Sequence, residues 1–344
     1  MSDMAGALQV APPFHPSGCA AVIAMLSLAG LAACGGSAAP AAPSTAAATT
    51  TTTPAVTTST PVYVVLFTHI EDNTPASPIG TAAARLQYSG MRTGLINMAS
   101  LARRYNVKWV LQPDWTLLLA AQAYEDAAMT ASTGGVNVLR YLHDSMGVVI
   151  DPHSHENGGY NYTDVAYLLD QLGVGGTTVI GGHIWDPTLS QFSNWDRFRS
   201  PQSGQTYPAA RWRGDILMGS GTPNHVNDPV VSGVWRPKDR NNYFTDDPAG
   251  NIVAVGQFRG DVNGITELNT LAKAGTIAST CMKTVSIHLQ PANLTSASGL
   301  AAVESTTVAP IAALGSQVVT TDFTSLVATW RSSFSARGCI YVPR

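Results

Sequence analysis

The chain has 344 residues, a formal net charge of −3 and only 12% charged residues. It contains no run of Lys or Arg, so it lacks the electrostatic footprint of a nucleic-acid-binding surface. Residues 61–344 are long for one ordinary domain and comfortable for a single α/β barrel.

The first 34 residues read as an address rather than as fold. Residues 20–30 form an apolar core too short for a comfortable membrane span, and they run into Leu31-Ala32-Ala33-Cys34. That ending resembles the lipobox of bacterial lipoproteins. The resemblance implies a signal peptide over 1–34, acylation of Cys34, and an exported lipoprotein held at a membrane in the periplasm or at the cell surface. One departure is that the first Lys or Arg of the chain is Arg85. Residues 35–60 are almost entirely Ala, Thr, Pro, Ser and Gly. Such a segment cannot bury enough apolar surface to offset its ordering entropy, which predicts a disordered tether spanning roughly 30 Å. Cys19 lies in the leader with Cys34. Cys281 and Cys339 remain as an even pair in an oxidising compartment, which predicts a disulfide.

In the body, the apolar run 62–67 predicts a buried strand that closes on Thr68-His69-Ile70-Glu71-Asp72-Asn73. Residues 82–105 follow with Leu86, Met91, Leu95, Met98, Leu101 and Ala102 near helical spacing. A short strand over 107–111 ends in Gln112-Pro113-Asp114-Trp115, and helical patterns cover 115–130 and 135–145. The apolar stretch 147–150 then closes on Asp151-Pro152-His153-Ser154-His155-Glu156-Asn157. A helix over 163–172, capped by Asn161 or Thr163, leads to a strand over 177–180 that ends in Gly181-Gly182-His183. Residues 190–262 are rich in Gly, Pro and Asn and predict long loops. A strand over 284–287 ends in His288. A last strand over 316–320 precedes a helix from 322 to about 334. This alternation implies parallel strands with right-handed crossovers, and hence an α/β fold, specifically a (β/α) barrel.

The C-terminal ends of parallel strands face one side, where such folds place their chemistry. Glu71 and Asp72, His153 and His155, His183, and His288 all occupy strand ends and are expected to converge. Neutral imidazole with carboxylate is the donor set of zinc and similar divalent ions. His69 alternates with Glu71 along an extended strand, so both face one centre, His69 either as a ligand or as a partner supporting one. A lone histidine is more often structural, which weighs on His183 and His288 singly. An H-x-H directly after an apolar strand is harder to explain without a ligand. His143 and His225 read as surface residues. Trp115, Trp185, Trp195, Trp212, Trp235, Tyr160, Tyr162 and Tyr243 fall in predicted loops, as sugar-stacking platforms or as packing.

The order of these motifs resembles the polysaccharide deacetylase superfamily (carbohydrate esterase family 4 and its relatives) over most of 61–344. The resemblance implies a distorted seven-stranded barrel. Ile70-Glu71-Asp72-Asn73-Thr74-Pro75 stands where that family carries a T-F-D-D pair, which makes Glu71 the catalytic base and Asp72 a metal ligand. His153-Ser154 matches the first half of the family's H-[ST]-x-x-H. Asn157 stands at its last position, with His155 as a substitute donor. Trp235-Arg236-Pro237 is similar to the motif whose arginine orients a catalytic group. Ser286-Ile287-His288-Leu289 is similar to the strand that supplies a general acid. Glu156, Asn157, His69 and His183 are then candidates for supporting partners. The implied function is a metal-dependent hydrolase, with zinc the expected ion, that deacetylates an extracellular or cell-surface polysaccharide. Three alternatives stand beside it: a lipid-anchored glycan-binding protein whose site is degenerate at Asn157, a glycoside hydrolase on the same fold, and an amidohydrolase, which carries H-x-H on its first barrel strand.

Overall fold

The computed structural model describes residues 60–183, 188–189, 193–218 and 230–343. The signal peptide with Cys34, the tether as far as residue 59, Trp185 and His225 lie outside the described residues. The strands among them are β1 (Val62–Ile70), β2 (Trp109–Pro113), β3 (Val149–Ile150), β4 (Val179–Ile180), β5 (Gln202–Ser203), β6 (Arg211–Trp212), β7 (Ile216–Met218), β8 (Ser232–Trp235), β9 (Val253–Val255), β10 (Lys283–His288), β11 (Val318–Thr320) and β12 (Cys339–Tyr341).

One sheet runs β10-β1-β2-β3 with every pair parallel, and β11 lies parallel on β1. The second runs β12-β8-β9-β7-β4, in which β4, β7 and β9 are parallel and β8 and β12 antiparallel. An isolated bridge between His153 and Gly181 joins the end of β3 to the end of β4. At the other seam Ser286 N donates to Gln257 O at 3.1 Å, and Thr284 Oγ1 donates to Gly256 O at 2.6 Å. The α/β class and the parallel alternation are as the sequence implies, with β10-β1-β2-β3 and β4-β7-β9 making the wall. The ladder, however, is two sheets meeting at seams rather than one continuous barrel. Pro152 has no N–H to extend β3, and β3 and β4 are two residues long. The stretch 190–262 also differs from its expected loops, because β7 and β9 belong to the wall. Strands of three residues are too short to show a period.

β1 is buried along both faces, which is why its sequence is a continuous apolar run rather than an alternation. Val62, Val64, Leu66 and Ile70 pack into the layer of Tyr88, Leu95 and Met98 from the helix Ala82–Arg104. Val65 and Phe67 face the other way, onto Phe323, Leu326 and Trp330 of the helix Phe323–Ser333. The helix Tyr162–Gln171 begins with a reciprocal box, Asp164 N to Asn161 Oδ1 at 3.1 Å and Asn161 N to Asp164 Oδ2 at 2.9 Å. The same buried Asp164 accepts from Gln205 N and Tyr207 N, fixing the β5–β6 hairpin beside the helix. Asn161, not Thr163, is the cap.

Cys281 and Cys339 are bonded across a separation of 58 residues, tying β12 to the segment before β10. Cross-linking a loop of that length removes about 4 kcal/mol of chain entropy from the unfolded state. The double variant Cys281→Ser/Cys339→Ser should therefore unfold at markedly lower denaturant, by up to that amount in a urea titration of the oxidised and variant proteins.

Candidate metal centre

The interior-facing row of β1, Val65 and Phe67, continues to His69, which is 1% exposed, and then to Glu71 beyond the strand end. His69 pairs in register with Gln112 on β2. Gln112 Nε2 donates to Asp151 Oδ2 at 3.4 Å, which turns its Oε1 toward His69 Nε2 at 2.7 Å. His69 therefore carries its ring proton on Nε2. Burial, and then the charges of His153 and His288, hold its pKa well below the usual imidazole value. Burial likewise pushes Asp151 up to about 7.

Above this layer the acids and imidazoles meet. Glu71 Oε2 lies 3.2 Å from His153 Nε2 and 2.9 Å from His155 Nε2. Asp72 Oδ1 lies 3.3 Å from His155 Nδ1, and its Oδ2 accepts a short bond from Asn157 Nδ2. Burial would raise the Glu71 carboxyl, but its bonds from His153 and His155 outweigh that and hold it far below the carboxylate range. The same contact with Glu71, working against burial, pushes His155 up to about 9. His153 Nδ1 donates to Gly181 O at 2.9 Å, which leaves Nε2 facing Glu71. An imidazole pinned by one nitrogen to a carbonyl presents the other as a metal ligand does.

Three overlapping triads can each place one donor atom per residue within 4.8 Å of the others: His69, Glu71 and His153; Asp114, His153 and His155; and Glu71, Asp72 and His155. This set of carboxylate and imidazole fits a borderline divalent ion.

The structure brings together five of the expected residues, Glu71, Asp72, His153, His155 and Asn157, with His69 beneath them. His288 stands at the edge, its ring 5.0 Å from that of His69 and its Nε2 accepting from His69 N at 3.4 Å. His183 is buried among Tyr162, Phe198 and Arg197 and belongs to none of the triads. The structure does not bring Arg236 to the cluster. Its guanidinium is committed to Asp246 at 2.9 and 3.1 Å, to Ala336 O and Pro248 O, and to the face of Trp330. Trp195, Trp235, Tyr162 and Tyr243 are buried and pack the interior. Trp115 instead stacks on Tyr160 at 4.7 Å beside the cluster and donates Nε1 to Asn157 Oδ1 at 3.1 Å.

Residues not singled out from sequence complete the site. Asp114 is buried, caps the helix Trp115–Tyr124 with Oδ1, and accepts His155 N at 3.2 Å with Oδ2. Gln112 links two strand ends. Gly182, at φ +73°, lies under the imidazoles, and a Cβ there would stand 2.7 Å from two His153 ring atoms and 2.9 Å from His69. The signal for all three was position, since each follows directly on an apolar strand.

No protein family and no curated protein matches the chain. Among solved structures it is similar to Puue allantoinase, at 14% identity, 79% of this chain, 91% of the other and a TM-score of 0.44. It is also similar to the "putative polysaccharide deacetylase from Mycobacterium smegmatis", at 10% identity, 83% and 96% coverage and a TM-score of 0.48. A third is the "probable Polysaccharide deacetylase from Pseudomonas aeruginosa PAO1", at 15% identity, 78% and 91% coverage and a TM-score of 0.44.

Two outcomes are expected. In the metal-free protein, the raised His155 contributes stability in full below its ordinary 6.5 and loses it as pH rises through about 9. The lowered Glu71 contributes in full above its ordinary 4.5 and loses its share as pH falls below that. Melting temperature in chelator should thus decline above pH 6.5, and the decline should shrink in His155→Gln. Gly182→Ala should fold but weaken zinc binding by about tenfold or more in a calorimetric titration, because the displaced ring is a ligand candidate.

Proposed function

We propose that this chain is a metal-dependent hydrolase that removes acetyl groups from an extracellular or cell-surface polysaccharide and is anchored to a membrane through Cys34. One observation carries the catalytic reading: the Glu71 carboxylate is gripped by two imidazoles, beside Asp72, at the strand ends of a parallel α/β wall. The anchor rests on the Leu31-Ala32-Ala33-Cys34 ending of the leader.

Asp72, His153 and His155 would hold a zinc-type ion, Asp72 sharing one triad with His155 and His153 another, and the ion would supply a Lewis acid and a water acidic enough to ionise near neutral pH. Glu71, whose carboxylate faces both imidazoles, takes the role of proton acceptor at the centre. His153 Nδ1 is held by Gly181 O, which keeps the ring's Nε2 turned to Glu71. Asp114 sets the backbone of His155. His69 stays neutral below them and adds no repelling charge. His288, whose ring borders that of His69, takes the role of proton donor to a leaving alkoxide or amine in this reading. The half-buried faces of Trp115 and Tyr160 border the cluster and suit a sugar ring.

A second reading, a glycan-binding protein with a degenerate centre, has one observation in its favour. The Asn157 amide takes an oxygen of Asp72 that a ligand would otherwise share. The two readings separate on acetate release. Wild-type protein should free acetate from acetylated xylan or an acetylated chitin oligomer, lose that activity in chelator and recover it with zinc. Glu71→Gln should reduce the rate by at least about a hundredfold. Absence of bound zinc, cobalt or nickel, together with an unaffected His153→Ala, would sink the hydrolase and leave the binding protein.

A further inference from the structure

Residues 154–159 form the turn that carries His155 and Asn157, and its backbone is unusual. Glu156 sits at φ +54°, in the left-handed region that a side chain disfavours, followed by Gly158 at +60° and Gly159 at +88°. Its neighbours His155 and Asn157 turn to Glu71 and Asp72. The Glu156 carboxylate turns away from them, onto Arg197 Nη2 at 2.5 Å. Arg197 comes from the short helical turn Trp195–Arg199, 41 residues further along. Its guanidinium is itself fixed: Nη1 donates to Asn194 O at 2.8 Å and lies 3.4 Å from His183 Nε2, and the plane rests 4.2 Å from the Phe198 ring. The Arg197 side chain is 18% exposed and that of Glu156 30%, so the pair is shielded more than an ordinary surface ion pair.

We propose that Arg197 is a positioning residue which, by clamping Glu156 in its left-handed conformation, holds the 154–159 turn so that His155 and Asn157 meet Glu71 and Asp72. The assignment deepens the metal-centre reading and rests on it for its functional meaning. Ser154 Oγ also accepts Glu156 N at 2.9 Å, but without the clamp nothing holds the Glu156 side chain against the freedom of the two adjacent glycines. His153 is not part of this device, because its ring is held separately by Gly181. His183 gains a structural task, as one of the groups bordering the guanidinium.

The test uses Arg197→Gln, Glu156→Gln and their combination in the full chain. In metal-free protein, amide hydrogen exchange at residues 154–159 should quicken by about tenfold in each single variant while β1 stays protected. Zinc affinity by calorimetry should fall about 10–100-fold in each, and the double variant should be no worse than either single one, because both remove one interaction. Arg197→Lys, which keeps charge but not the fork, should fall between. Unchanged exchange in the turn overturns the proposal. So do zinc losses that multiply in the double variant, or loss of protection that extends to β1, which would make the pair a general stabiliser. If wild-type protein takes up no zinc, the metal-centre reading fails alone, and the exchange result still decides whether Arg197 clamps the turn.

Discussion

A strand buried on both faces has no side on which a charged residue is tolerable, so any acid on β1 has to wait for the strand to end. This constraint organises the site. Val62 to Phe67 are apolar and almost all fully buried, His69 enters as a neutral ring with a partner, and only then do Glu71 and Asp72 follow. β2 and β3 obey the same rule, passing through apolar residues to Gln112 and Asp114, and to Asp151, His153 and His155. Because the strands are parallel and in register, His69, Gln112 and Asp151 fall at one level. The cluster is what remains when three buried strands run out of core together.

That level is layered by polarity. At the bottom His69, Gln112 and Asp151 form a dry chain in which each member fixes the next. A buried polar chain of this kind is stable only when its directions agree, and here the amide of Gln112 sets which nitrogen of His69 is protonated. Above it, the charged groups compensate one another at the edge of solvent. Glu71 is held ionised and His155 protonated by the same contact. An arrangement that stabilises itself by ion pairing is one a divalent cation can enter by displacing protons from the imidazoles. Gly181 and Gly182 let the β4 end approach the rings closely enough to close the layer from the side.

The seams of the wall bear on the same region. Where β3 and β4 should pair, only the bridge from His153 to Gly181 remains. The residue that completes the wall is thus also the one that orients a ligand candidate. The turn after it is then free of the sheet and depends on side chains from elsewhere: Asp114 beneath it, Trp115 beside it and Arg197 outside it.

Strand ends were legible from the amino acids alone, because fully buried parallel strands read as short apolar runs and the residues that close them stand out. The clustering of Glu71, Asp72, His153 and His155, and the approximate spans of the long helices, followed from that. What the chain could not announce was which partners those residues would find. Asn157 stands where a second motif histidine was expected, and only folding showed it bonded to Asp72, 85 residues away. Arg236 carried a plausible motif, yet the loop ending at Asp246 and the C-terminal segment claim its guanidinium. β7 and β9 are too short to carry a period, and Gln112 and Arg197 are ordinary residues until another strand or turn is set against them. Periodicity and burial are local properties written into neighbouring residues. Hydrogen-bond partners drawn from as far as 85 or 100 positions away are decided only when the chain has closed on itself.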